Sequence, residues 1–153
     1  MKLIRPLLSF LSRYEKLMVN LDSRIFVGRP LWMNGVFAFC AYMTFIYLPW
    51  DVFVKPIAED EEVWFGLLFY GWMAKIGGLI HWFVYAAITY GLWAMRPWVR
   101  LWISIYLLQI AFSMIAWAYL SEASTSPWLN LLIGAIFVML SYKFFRSQSV
   151  FDT

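Results

Sequence analysis

Apolar residues in this chain come in long unbroken runs, not in the alternation of a strand or the single stripe of a surface helix. Leu31 to Trp50 contains no charged residue and is bounded by Arg29 and Asp51. Leu101 to Ser121 is likewise free of charge, and Trp128 to Tyr142 is a shorter run closed by Lys143. Between Glu62 and Arg96 the only charge is Lys75. A helix rises about 1.5 Å per residue and a hydrocarbon layer is about 30 Å thick, so about 20 apolar residues make one crossing. The pattern therefore predicts an all-α, polytopic membrane protein with four transmembrane helices, over residues 31–50, 74–95, 101–121 and 127–143. The stretch after Glu62 is too long for one upright crossing. Residues 51–73 are accordingly expected to form an outer acidic loop and an interfacial or tilted helix, joined to the second span through Ala74 and the pair Gly77-Gly78.

Pro30, Pro97 and Pro127 each stand just before a run, where the missing N–H costs nothing because the first helical turn has unpaired donors. Trp32, Trp98 and Trp128 follow within two residues, as suits indoles at a headgroup level. Upstream, Leu3, Ile4, Leu7, Leu8, Leu11, Tyr14, Met18, Leu21 and Ile25 recur with a helical period, opposite Arg5, Lys16 and Asn20. Residues 1–29 thus read as a basic amphipathic helix before the four-helix domain of residues 30–145, with 146–153 a short tail. Arg13, Glu15 and Lys16 interrupt any signal-peptide core. Such a helix suits either the headgroup plane of an anionic leaflet or the face of a partner subunit.

Composition narrows the class. Apolar residues make up 63% of the chain and charged ones 14%, which excludes an ordinary soluble enzyme. Position matters more than the net charge of +3. All the basic residues except Lys55 and Lys75 lie with the two termini or in the loop holding Arg96 and Arg100, while Asp51, Glu59, Asp60, Glu61, Glu62 and Glu122 fall on the other side. The positive-inside rule then predicts cytoplasmic amino and carboxyl termini, in a membrane of the bacterial inner-membrane type. Nucleic acid is not an expected partner.

Candidate chemistry is sparse. Cys40 and His81 each occur once, so neither a disulfide nor a paired-ligand metal site is expected within one chain. The acids Glu59 to Glu62 read as a solvated face or a helix start. Lys75, near the outer boundary of the second span, is within reach of Asp51, and the two are expected to pair. Small or polar stripes mark each span: Cys40, Thr44, Tyr47 and Asp51; Gly71, Ala74, Gly78 and Trp82; Tyr106, Gln109, Ser113 and Trp117; Asn130, Gly134 and Ser141. Such stripes face other helices. His81, Tyr85, Gln109 and Asn130 are the candidate intramembrane polar site. No catalytic residue, metal site or cofactor is assigned, although the stripes are compatible with a bound lipid or quinone. The expected role is a non-catalytic accessory, assembly or scaffolding subunit with a membrane-protein partner or a second copy of itself. The alternative is a small transporter or a binder of lipid or another hydrophobic ligand.

Overall fold

A computed structural model of the chain describes residues 29–121 and 126–152. The amphipathic helix expected over residues 1–29 therefore lies almost wholly outside the described residues. The chain divides into two compact units, residues 1–35 and 36–153, the boundary falling near the start of the first membrane-length helix. Among the described residues, four helices are long and apolar enough to cross a membrane: α1 (Leu31–Phe53), α2 (Trp72–Trp93), α3 (Pro97–Leu120) and α4 (Pro127–Arg146). A short α5 (Gln148–Phe151) lies in the segment read as a plain tail, with Phe151 buried.

α1 and α2 run antiparallel, and their contact depends on an irregularity. α1 is α-helical to Tyr42, widens to a π-helix over Met43–Tyr47 and resumes as α-helix at Leu48. In the widened register Leu48 N–H donates to the Met43 carbonyl, five residues back. The next donor would be Pro49, which has no N–H, so the Thr44 carbonyl loses its place in the ladder. Trp82 of α2 supplies the donor instead, its Nε1–H reaching the Thr44 carbonyl at 2.8 Å. The Thr44 hydroxyl bonds the Cys40 carbonyl at 2.8 Å and lies 3.1 Å from the Thr89 hydroxyl. Two polar residues of the expected stripes, Thr44 and Trp82, thus hold one helix to the next.

α3 and α4 are also antiparallel and are tied by a reciprocal pair. Ser141 donates to the Ser104 carbonyl at 2.8 Å, and Ser104 donates to the Ser141 carbonyl at 3.1 Å. Gly134 lets the backbones approach, since a Cβ there would come within 2.9 Å of Ile115.

The interfacial helix expected after the acidic loop is instead a β-hairpin, β1 (Glu61–Trp64) paired antiparallel with β2 (Leu67–Tyr70). Among the described residues the chain is consequently mostly helical with one two-stranded addition, and so not purely all-α. Glu59 belongs to a 3₁₀ turn over Ile57–Glu59, and Glu61 and Glu62 open β1 without starting a helix. The physical reason is the dipeptide Phe65-Gly66. Both residues have positive φ, 51° and 82°, as a two-residue turn between right-twisted strands requires. Glycine adopts that geometry freely, and Phe65 is held there by a hydrogen bond from its N–H to Ser113 Oγ at 2.8 Å. Valine, tryptophan, phenylalanine and tyrosine on either side favour extended backbone.

Candidate functional site

At the hairpin end, four charged side chains close on one another. Asp51 lies in the last turn of α1, Lys55 and Asp60 in the loop and Lys75 in the first turn of α2. Lys55 Nζ is 2.9 Å from one Asp60 oxygen and 3.4 Å from Asp51, its helical neighbour one turn back. Lys75 Nζ is 3.1 Å from the other Asp60 oxygen and also donates to the main-chain carbonyl of Asp51. Asp60 is 2% exposed and Lys75 7%. Lys75 and Asp51 therefore meet through the Asp51 main chain, whereas the carboxylate facing the ammonium belongs to Asp60 and not, as the sequence suggests, to Asp51. The reason is geometric: Lys55, one helical turn after Asp51, engages its carboxylate, and the 3₁₀ turn carries Asp60 back over α2.

Electrostatically the group is closed, two carboxylates against two ammonium ions. Burial disfavours a charged Asp60, yet the hydrogen bonds from Lys55 and Lys75 outweigh it and hold the carboxyl below its ordinary range. The same bond to Asp60 raises the Lys55 ammonium above its ordinary value. Main-chain bonds complete the clasp: Gly71 N–H donates to the Asp60 carbonyl at 3.0 Å, and Lys75 N–H to the Gly71 carbonyl at 3.0 Å.

Beneath this clasp, the inner face of the hairpin meets α2 and α3. Glu62 Oε1 lies 3.4 Å from His81 Nδ1. The indole of Trp64 stands edge-on to His81 with ring centres 4.2 Å apart, and His81 is edge-on to Tyr106 of α3 at 5.7 Å. Tyr106 in turn meets Tyr85 edge to face at 5.4 Å. Gly77 makes room for the hairpin, because a Cβ there would lie 2.5 Å from both Glu62 Oε2 and Trp64 Nε1. Gln109 donates to Ser113 Oγ at 3.1 Å, the same oxygen that accepts from Phe65. His81 Nε2 and Gln109 Oε1 are buried and find no hydrogen-bond partner among the described residues. Burial pushes the Glu62 carboxyl up to about 7.

Of the residues singled out from the sequence, His81 and Tyr85 come together around Tyr106, and Gln109 is tied to the same region through Ser113 and Phe65. Asn130 belongs to α4, which packs along α3. Glu62 and Trp64, taken from the sequence as part of a solvated acidic face and an interfacial segment, are members of the cluster. Charge and hydropathy gave no sign of them, and only the strand alternation of Glu62 with Trp64 would have placed both on one face. Between α2 and α3, a groove of about 370 Å³ is lined chiefly by Ile88, Trp98, Trp102, Tyr106 and Gln109. No protein family, curated protein or solved structure matches the chain.

Proposed function

We propose that the chain is a multi-pass integral membrane protein that serves as a non-catalytic accessory, assembly or scaffolding subunit of a larger membrane complex, with the hairpin end outside and both termini in the cytoplasm. The carrying observation is where its polar groups are used. A transporter built from four helices would aim a charge or a broken helix at its substrate. Here the break in α1 is filled by Trp82, and Asp51, Lys55, Asp60 and Lys75 neutralise one another in the clasp. The outward faces carry large apolar and aromatic side chains, such as Phe39, Phe45 and Trp50 on α1 and Trp128, Leu132 and Met139 on α4. Such faces suit acyl chains and partner helices alike. Native mass spectrometry of the protein extracted in mild detergent tests the reading. A stoichiometric complex with a second membrane protein supports it, and a single species carrying only lipid contradicts it.

The groove between α2 and α3 favours a second reading, binding of a lipid or another hydrophobic ligand, because two indoles and the side chains of Tyr106 and Gln109 share one almost wholly apolar wall. Retention of one defined small molecule through delipidation, lost on Trp102→Ala, would select this alternative.

A further inference from the structure

The clasp accounts for Asp51, Lys55, Asp60 and Lys75, and leaves Glu62 and His81 as a largely buried acid–base pair outside the salt bridges of the clasp among the described residues. Their side chains are only 18% and 16% exposed and face each other at 3.4 Å through Oε1 and Nδ1. One oxygen of Glu62 and one nitrogen of His81 are thereby engaged. The other nitrogen, Nε2, is buried without a partner among the described residues. Tyr106 abuts the imidazole from α3.

We propose that Glu62 and His81 form a single proton-binding site at the hairpin end, and that loading or unloading it switches the tautomer of His81. A low-dielectric surrounding favours a neutral pair over an ion pair. In the loaded state the Glu62 carboxyl therefore carries the proton and donates it to Nδ1, so the imidazole hydrogen resides on Nε2. In the unloaded state Glu62 is a carboxylate, and a bare Nδ1 facing it is repulsive. The stable arrangement has hydrogen on Nδ1, donating to the carboxylate, and none on Nε2. Passing from one to the other breaks the Glu62 O–H bond, forms Nδ1–H and breaks Nε2–H, with one proton released to water. The imidazole is neutral in both states, and the two states differ by one proton in total.

The charged surroundings set the balance. Asp51 of α1 and Asp60 of the loop favour the loaded state, and Lys55 opposes them. Tyr106 of α3 and Tyr47 of α1 are within electrostatic reach of the same carboxyl. Lys75, on the same helix as His81, is held by Asp60 and the Asp51 carbonyl.

His81 is the only histidine, so one pair of ¹⁵N signals from histidine-labelled full-length protein in lipid nanodiscs reports the site without assignment. The expected result is Nε2–H with bare Nδ1 at pH 5.5, the reverse at pH 8.5, and a midpoint near pH 7. Glu62→Gln should abolish the exchange of tautomers, while Glu61→Gln should leave it intact. A wild-type spectrum in which His81 becomes imidazolium with the titration of a free imidazole, near pH 6.5, overturns the proposal. So does one tautomer persisting from pH 5 to pH 9, or an exchange that survives in Glu62→Gln. The wild-type arm decides even where a substituted chain does not fold.

Discussion

Asp60 faces two lysines, the buried Lys75 and the part-exposed Lys55, and that double role makes it the residue on which the clasp depends most. Asp60→Asn leaves two ammonium groups facing a neutral amide and should cost about 1–3 kcal/mol, more than Lys55→Met at the more exposed corner. Thermal unfolding in detergent ranks the two, and equal losses would show that Asp60 has no special place. Asp60 and Glu62 also bend the pH profile in opposite directions. The Asp60 carboxyl is depressed, so its contribution is present above its ordinary value of 3.8 and disappears as pH falls through the folded value. The Glu62 carboxyl is raised from 4.5 to about 7, so the folded state binds the extra proton across that interval. Its contribution is complete below pH 4.5 and is lost as pH rises through 7. Unfolding temperatures should therefore fall between pH 4.5 and 7 in the wild type, and Glu62→Gln should remove that slope. A slope unchanged in the variant would assign it to another group.

The elements show why part of the fold was readable in advance and part was not. A span announces itself by composition alone, since twenty residues without a charge have one economical placement. The observed helices reach two to four residues beyond the expected limits at Asp51–Phe53, Trp72–Met73, Pro97–Arg100 and Phe144–Arg146, chiefly because a charge at a boundary ends an apolar run without ending a helix. The hairpin was hidden because its eight strand residues are about as apolar as a helix, and its turn carries Phe-Gly where Asn-Gly would have been conspicuous. The Glu62–His81 contact was hidden for a related reason: only strand geometry turns Glu62 away from solvent. The π-segment in α1 yields a test at this scale. Trp82→Phe removes the donor to the Thr44 carbonyl and should destabilise by about 1–3 kcal/mol. Pro49→Ala restores a main-chain N–H and should recover part of that loss when combined with Trp82→Phe. Additive effects in a double-mutant cycle of unfolding free energies would show that the two positions do not share one acceptor.

At the scale of the whole molecule, each helix packs on its neighbour in sequence, and the hairpin folds back over α2 and α3 at the end where the clasp lies. An open two-stranded edge is costly in hydrocarbon, since its unpaired amides would have no partner there. Phe65 and Gly66 meet α3 at Ser113 and Ala116, within two turns of its end at Leu120, so the hairpin suits a headgroup layer. The proposed function presupposes four crossings with the clasp outside and the carboxyl terminus inside. Cysteine accessibility tests that arrangement most directly, because Cys40 is the only native cysteine and Cys40→Ser gives a clean background. Glu59→Cys, exposed in the loop, and Asp152→Cys, exposed after α5, are introduced singly and treated with a membrane-impermeant maleimide on intact cells. Labelling of the Glu59 position from outside, with the Asp152 position labelled only after permeabilisation, is the predicted result; labelling of both from the same side would contradict it.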